Sequence, residues 1–206
     1  MTFPDQKFAA VAEYADAYFE QSKTAQASVD RGKLEAACKL LDAAYGRGAT
    51  LYVCGNGGSA SISNHLACDH SKGGQTDTDL KPKVVSLSTN MELITAIAND
   101  ISYDEIFVYQ LRTLAEPGDV LLTVSSSGDS ENVVRAVQWA KNQGLEVIAF
   151  TGFEGGRTAK LATVNLHVSG DNYGVVEDTH QGLMHILAQF IRQNRMDESV
   201  IQERKF

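Results

Sequence analysis

Apolar and polar residues follow two different periods along the chain, and the change of period divides it into two parts. From Asp5 to about Tyr45 apolar side chains recur every three or four residues, as in an amphipathic α-helix. The positions are Phe8, Val11, Ala12, Ala15 and Phe19, then Leu34, Cys38, Leu41 and Tyr45. This pattern predicts an N-terminal helical hairpin over residues 1–46. We expect residues 47–206 to form the α/β core of the same single domain.

After residue 46, short apolar runs alternate with longer amphipathic segments, which is typical of repeated βαβ units. The runs predict five strands, at residues 50–54, 84–87, 119–124, 146–150 and 164–168. The other segments predict helices at 59–72, 91–98, 105–114, 130–142 and 156–161, and a long last helix from about 176 to 195. Five parallel strands with helices on both faces form a doubly wound sheet, for which we expect the flavodoxin-like strand order 2-1-3-4-5.

Composition and charge narrow the function classes. The chain has 206 residues, 43% apolar and 21% charged, as in a soluble globular domain. Its net charge of −8 and the lack of a Lys/Arg run argue against nucleic acid as a partner. No apolar stretch approaches the roughly 20 residues that span a bilayer, and the N-terminus has no secretory pattern. We therefore expect a cytoplasmic protein with no membrane partner.

The three cysteines, Cys38, Cys54 and Cys68, are an odd number without the spacing of a metal motif. Such usage suits a reducing compartment. We expect no disulfide bonds.

Two loops of the predicted sheet have residues that suit an anion. In the expected strand order, ligands bind between strands one and three, beyond their carboxyl ends. The glycine loop, residues 55–59, reads GNGGS, and its glycines allow a sharp turn that brings backbone N–H groups near a ligand. The serine loop, residues 125–130, reads SSSGDS. Each loop precedes a helix N-terminus, which attracts anions. Either loop alone is also typical of ordinary helix capping, but the pair favours a phosphate site.

The glycine loop also fits the pattern G-x-G-x-x-A, which makes a dinucleotide the first alternative ligand. A dinucleotide site needs an acid at the end of the second strand, and here the first acid after that strand is Glu92. The lysine of a Walker loop is also absent. The sequence therefore favours a small phosphorylated ligand over a nucleotide.

Histidines and carboxylates with helical spacing form a second candidate site. His65 and Asp69 stand four residues apart and can converge on one ion, although a solvated pair is the plain alternative. On the last helix Glu177, Gln181 and His185 lie on one polar stripe in apolar surroundings. If the two helices meet, His65, Asp69, Glu177 and His185 supply two imidazoles and two carboxylates. That set suits zinc or a similar divalent cation.

The ordered motifs of the chain resemble the sugar isomerase (SIS) fold and, within it, the phosphoheptose isomerase branch. That branch interconverts sedoheptulose 7-phosphate and glycero-manno-heptose 7-phosphate. The motifs are CGNGGSA, the histidine of the next helix, AIANDISYDEIF, GDVLLTVSSSGDSENVVRAV, VIAFTG and EDTHQGLMHIL. The resemblance covers nearly the whole chain, including the N-terminal helices. It implies a homotetramer whose sites use residues from neighbouring subunits.

Carried over by position, the resemblance implies a set of site residues. Substrate contacts would come from the two loops and from a helix end between them, with the serines around the phosphate: Asn56, Gly57, Gly58, Ser59, Asn99, Asp100, Ser125, Ser126, Ser127 and Ser130. A zinc or other divalent ion would be held by His65, Asp69, Glu177 and His185.

The chain departs from the branch at two of these positions. The branch carries Glu where this chain has Asp69, and Gln where it has Glu177. The shorter side chain retracts the carboxylate by roughly 1.3 to 1.5 Å, and a misplacement of about 1 Å can cost on the order of a hundredfold in rate. Our hypothesis is that Glu177 has taken over part of this role, in a subfamily with a different or relaxed substrate.

The function that follows is aldose–ketose isomerisation of a phosphorylated sugar through an enediol. A base removes the proton beside the carbonyl, an acid serves the oxygen, and a metal stabilises the charge. His185, with either Asp69 or Glu177, is the candidate for the proton transfers. Two alternatives stay open: an isomerase of a different phosphorylated or anionic sugar, and a non-catalytic protein that senses phosphosugars or binds a partner, as one replication regulator in this branch does. Four plausible metal ligands favour the enzyme.

Overall fold

A computed structural model describes residues 2–206 and contains one parallel sheet. Its strands are β1 (Thr50–Gly55), β2 (Lys83–Ser86), β3 (Val120–Ser125), β4 (Glu146–Thr151) and β5 (Val164–His167). They run in the order β2-β1-β3-β4-β5, and every neighbouring pair is parallel. The predicted fold class and strand order are confirmed, and each strand lies within one residue of its predicted ends.

Helices cover both faces of the sheet. They are α1 (Val11–Ser28), α2 (Arg31–Gly46), α3 (Gly58–Cys68), α4 (Met91–Asp100), α5 (Val108–Leu114), α6 (Glu131–Asn142), α7 (Gly156–Leu161), α8 (Tyr173–Arg195) and α9 (Glu198–Ile201). A π-helical turn, Asp69–Gly73, continues α3, and a 3-10 turn, Tyr103–Glu105, precedes α5. One hydrophobic core joins the sheet to α2, α3 and α8, and the other joins it to α4, α5 and α6.

The first helix begins later than its pattern predicts. We expected helix from Asp5, but α1 begins at Val11. The ring of buried Phe3 lies 5.2 Å from that of Tyr14, and Phe8 packs against the same tyrosine at 5.4 Å. Both phenylalanines reach Tyr14 because the segment before α1 folds back over it. The early helix start was therefore wrong, since an aromatic contact outweighs the local pattern.

The helix α8 is held between the sheet and the hairpin. Tyr18 of α1 donates a hydrogen bond of 2.6 Å to Asp178, and Arg195 bonds both carboxylate oxygens of Asp42 on α2. Asn172 caps the helix by accepting from the Val175 N–H, so α8 begins three residues before its predicted start. These contacts fix which face of α8 meets α3.

The three cysteines are free, as expected. Within residues 2–206 no helix is both long enough and apolar enough to cross a membrane.

Candidate active site

The glycine loop and the serine loop leave neighbouring strands at the same edge of the sheet. Gly55 at the end of β1 pairs with Val124 near the end of β3. A side chain at Gly55 would lie 2.7 Å from the Val124 carbonyl oxygen, so only glycine fits between the strands. Gly57, with φ of +55°, makes the turn into α3. The structure thus brings the two predicted loops together.

The serine loop is held in place by the segment that follows β4. The Gly152 N–H donates to the Ser126 carbonyl at 2.9 Å, and the Thr158 N–H donates to the Gly128 carbonyl at 3.0 Å. Arg157 donates to the Asp129 carbonyl and carboxylate, at 2.9 and 2.6 Å. Contacts within the protein therefore hold the backbone shape of the loop.

The four serines of this loop are not equivalent. Ser125 accepts from the Gly128 N–H, so its hydroxyl serves the loop itself. Ser126 is buried, and its hydroxyl has no partner among the described residues. Ser130 is the N-cap of α6 but makes no side-chain cap bond. Its half-buried hydroxyl remains available at a helix N-terminus, whereas the Ser127 hydroxyl accepts from the Asp129 N–H at 3.3 Å and keeps only its own O–H to donate.

Asn99 and Asp100 lie at the exposed end of α4, where the Asn99 amide donates to the Asp100 carboxylate at 2.7 Å. The segment that follows them reaches the glycine loop, because the Tyr103 hydroxyl donates to Asn56 Oδ1 at 3.0 Å. Asn56 in turn bonds Asn132, the second residue of α6. Asn132 and Tyr103 were not predicted as site residues, and no spacing in the sequence links them to Asn56.

His65, Asp69 and His185 converge where α3 and α8 meet. Asp69 presents one carboxylate oxygen 3.3 Å from His65 Nε2 and the other 3.4 Å from His185 Nε2. The two rings lie 5.1 Å apart and nearly perpendicular. One donor atom from each of these three residues lies within 4.8 Å of the others. We call these three residues the His–Asp cluster.

The His–Asp cluster fits a divalent cation. Imidazole nitrogen and carboxylate oxygen are ordinary zinc ligands, and bonds of about 2.0 to 2.1 Å at tetrahedral angles separate neighbouring ligand atoms by about 3.3 Å. Each imidazole lies at about this separation from one Asp69 oxygen, a different oxygen for each ring, and one donor atom from each of the three residues lies within 4.8 Å of the others. Three protein ligands would leave a fourth position for substrate or water.

Gln181 is a site residue to which the sequence assigned no role. Its Nε2 lies 2.7 Å from His65 Nδ1 and 3.3 Å from His185 Nε2. The first contact engages the nitrogen of His65 that faces away from Asp69. The Gln181 N–H can only donate at this contact, which places the His65 proton on Nε2. Metal binding through His65 Nε2 requires the proton on Nδ1, where the Gln181 side-chain oxygen would accept it after the amide rotates by 180°. The only sequence signal was its place on the polar stripe between Glu177 and His185.

Glu177 lies outside the His–Asp cluster. Its carboxylate rests against Gly58, the first residue of α3, so closely that a methyl group on Gly58 would overlap it. Burial, followed by the charge of Asp178, raises the pKa of the Glu177 carboxyl. The N-terminus of α3 favours a carboxylate, and burial acts on the Glu177 pKa in the opposite direction. The structure therefore assembles three of the four predicted metal ligands and turns the fourth toward the glycine loop.

The fold and the site together define an α/β domain with a glycine loop and a serine loop at the switch point of its sheet and a His–Asp cluster where α3 and α8 meet. The sequence signature of the SIS domain family matches residues 13–152. The chain is 35% identical, over 178 residues, to a probable phosphoheptose isomerase of Thermoplasma acidophilum, covering 86% of this chain and 97% of the relative. It is 36% identical to the phosphoheptose isomerase of Alteromonas mediterranea over 174 residues, 83% of this chain and 87% of the relative.

A solved structure agrees with these relatives. The phosphoheptose isomerase of Neisseria gonorrhoeae matches with a TM-score of 0.82 and 30% identity, over 89% of this chain and all of that one. The chain therefore belongs to the SIS domain family, among the phosphoheptose isomerases.

Proposed function

We propose that this chain is a metal-dependent aldose–ketose isomerase that converts sedoheptulose 7-phosphate to glycero-manno-heptose 7-phosphate through an enediol. Its family makes it a sugar-phosphate isomerase. The observation that carries the finer proposal is the His–Asp cluster, in which His185 of α8 meets His65 of α3, the helix that begins at the glycine loop, and Asp69 of the turn after it. A protein that only binds a phosphosugar does not need such a cluster.

The serine loop is the proposed phosphate site. Ser130 has a free hydroxyl at the N-terminus of α6, and Ser127 can donate its O–H to a phosphate while it accepts from the Asp129 N–H. The carboxylates of Asp129 and Glu131 are paired with Arg157. The other helix N-terminus, at the glycine loop, already faces the Glu177 carboxylate. A phosphate dianion would be repelled there, because like charges in a shared site disfavour each other. The sugar would then extend from the serine loop across the glycine loop.

The remaining predicted contacts would bind the sugar chain. Asn56 and the exposed backbone of Gly57 and Gly58 lie on one side, and Asn99 and Asp100 lie at the end of α4. Ser59 is buried and contributes its backbone N–H rather than an open side chain. Contacts to the non-reacting end of a sugar supply binding energy that orients the reacting carbons.

The isomerisation needs a proton to move between two neighbouring carbons and another between two oxygens. We assign these transfers to His185 and to either Asp69 or Glu177. Glu177 suits the carbon proton, because its carboxylate faces the glycine loop and burial raises the pKa of that carboxyl. Gln181 would orient the imidazole of His65. A divalent cation such as zinc, held by His65, Asp69 and His185, would stabilise negative charge on the substrate oxygen.

The assembly we propose is a homotetramer in the cytoplasm, with sites shared between subunits. Large apolar side chains are exposed on the hairpin and on α8, where Phe19 is 68%, Ile186 51% and Phe190 47% exposed. Ile186 and Phe190 share one groove with Leu34 and Cys38 of α2, and an exposed apolar patch of this kind marks a protein interface. Size-exclusion chromatography with light scattering measures the assembly directly.

A different phosphosugar is the second candidate substrate. The observation that favours it is the altered pair Asp69 and Glu177, since the structure turns Glu177 away from the cluster. The test is proton NMR of the zinc-loaded protein with a panel of phosphorylated aldoses and ketoses, each beside its unphosphorylated sugar. Product from sedoheptulose 7-phosphate alone supports the proposal, and product from another phosphosugar supports the second candidate. Binding of a phosphosugar without any product would identify a non-catalytic binding protein.

A further inference from the structure

Three side chains from separate segments meet in one hydrogen-bonded network, which we call the Asn56 network. Asn56 Nδ2 donates to Asn132 Oδ1 at 3.0 Å, and Asn132 Nδ2 donates back to Asn56 Oδ1 at 3.0 Å. The Tyr103 hydroxyl donates to the same Asn56 oxygen at 3.0 Å. The network ties the glycine loop to the start of α6 and to the segment after α4.

A backbone group fixes the direction of every bond in the network. The Val133 N–H can only donate, and it donates to Asn132 Oδ1 at 2.9 Å. This contact decides which end of the Asn132 amide is oxygen, so its NH₂ group must face Asn56. The Asn56 oxygen therefore points toward Asn132, where it also receives the Tyr103 hydroxyl. The orientation of the Asn56 amide therefore follows from the Val133 N–H, which can donate a hydrogen bond but cannot accept one.

The network leaves one kind of hydrogen-bonding capacity free. A carbonyl oxygen accepts two hydrogen bonds, and Asn56 Oδ1 already accepts two. Each amide nitrogen keeps one unused N–H. Asn132 is only 1% exposed, whereas Asn56 is half-buried at the site. Among these groups, the spare N–H of Asn56 is the one that a ligand can reach.

We infer that Asn132 and Tyr103 are positioning residues, which turn Asn56 so that it offers a hydrogen-bond donor to an oxygen atom of the sugar. The inference rests on the proposed function, because it assigns a polarity to one contact of that site. Because the Asn56 oxygen already accepts two hydrogen bonds, it cannot accept another from the substrate. A substrate group that can only donate therefore forms no hydrogen bond with Asn56. The network thus selects oxygen acceptors on the substrate.

The kinetic test is a set of double-mutant cycles on the zinc-loaded enzyme. We expect Asn132→Ala to raise KM for sedoheptulose 7-phosphate about tenfold and Tyr103→Phe about threefold, with kcat changed less, because one oriented hydrogen bond is weakened. In an Asn56→Ala background, neither substitution should raise KM further. Tyr109→Phe, on another exposed tyrosine, is the matched control and should change nothing. Full additivity in the Asn56→Ala background would overturn the inference.

A second readout needs no turnover. With asparagine-selective ¹⁵N labelling, Asn132→Ala and Tyr103→Phe should each shift the side-chain amide resonances of Asn56, and Tyr109→Phe should not. Saturation with sedoheptulose 7-phosphate should shift the Asn56 amide and leave that of Asn132 nearly in place. Asn56 resonances that stay unchanged in both variants would overturn the inference. A wild-type enzyme without turnover would refute the proposed function alone, since the variants report the orientation without substrate.

Discussion

Two pairs of histidines on the same two segments have opposite surroundings. His70, on the turn after α3, and His180, on α8, are buried, and each has a partner within the protein. His65 and His185 lie five residues away on the same segments, and both face Asp69 at the meeting of α3 and α8. On α8, five residues turn a side chain by about 140° around the helix axis, and on the other segment the π-helical turn places His70 on a different side from His65. The difference between the pairs is set by these placements, since the residue type is the same.

The buried pair is neutral near pH 7. Burial lowers the pKa of His70 and of His180 to about 4. His70 uses both ring nitrogens on the fold, contacting the Tyr45 hydroxyl at 2.7 Å and the Met184 carbonyl at 3.3 Å. His180 contacts the Thr151 carbonyl at 3.2 Å through Nε2, and its buried Nδ1 has no partner among the described residues. These histidines stabilise the structure, whereas the His–Asp cluster is left for chemistry.

The largest expected effect comes from breaking the cluster. His185→Ala should lower kcat about 10² to 10⁴-fold, because a metal ligand and a proton-transfer group are lost together. Asp69→Asn should have a similar effect. The free energy of unfolding should change by less than about 1 kcal/mol, since both side chains are partly exposed. Steady-state kinetics and urea unfolding measure the two quantities, with Gln189→Ala of α8 as the control. Full activity in either variant would refute the assignment.

Replacing a histidine of the buried pair should lower the stability of the fold rather than remove a catalytic group. His70→Leu leaves the Tyr45 hydroxyl buried without its partner, so we expect the free energy of unfolding to fall by about 2 to 4 kcal/mol. Adding Tyr45→Phe should recover part of this loss, because the unpaired hydroxyl is then absent. Urea unfolding of the two single variants and the double variant tests this. If the loss of unfolding free energy in the double variant equals the sum of the losses in the two single variants, His70 and Tyr45 are not coupled.

Gln181 contacts both histidines of the His–Asp cluster, so its replacement tests how the cluster binds a metal. Gln181→Leu removes the group that contacts His65 Nδ1, and we expect zinc affinity to fall about 10 to 100-fold, as for other second partners of metal-bound histidines. Competition with a chromophoric chelator measures the affinity without any substrate. Gln189→Leu, an exposed glutamine further along α8, is the matched control. Equal zinc affinity in both variants would exclude this role.

The smallest expected effect is a pH dependence of stability from His180. In the unfolded chain its imidazole takes up a proton near pH 6.5, and in the fold only near pH 4. The stabilisation is therefore complete above pH 6.5 and is lost as the pH falls toward 4. Between pH 7 and pH 5 we expect a loss of roughly 1 to 2 kcal/mol that His180→Gln does not show. Urea unfolding of both proteins at the two pH values gives the difference. Identical pH dependence would show that His180 is not neutral in the fold.

The sheet could be predicted from sequence because its signals are local. Each strand is a short apolar run between turn residues, and His65 and Asp69 share one helix, where four residues place them on the same side. The choice between Glu177 and Gln181 was not predictable. The two lie about 40° apart on α8, and which one meets His65 depends on how the hairpin and sheet rotate that helix.

The Asn56 network shows a second limit of sequence reasoning. Asn56 and Asn132 are 76 residues apart, and their contact exists only because parallel β1 and β3 end together. No periodicity relates such positions. The fold-back of Phe3 onto Tyr14 has the same origin, since a tertiary contact replaces a helix that the local pattern favours.

The most direct test of the account is proton NMR in D₂O with sedoheptulose 7-phosphate. Protein stripped with a chelator is compared with the same protein after zinc is restored. The account predicts deuterium incorporation beside the carbonyl and formation of the aldose only with zinc, and loss of both in Asp69→Asn. Equal exchange and turnover in stripped protein and in Asp69→Asn would contradict the central role of the His–Asp cluster.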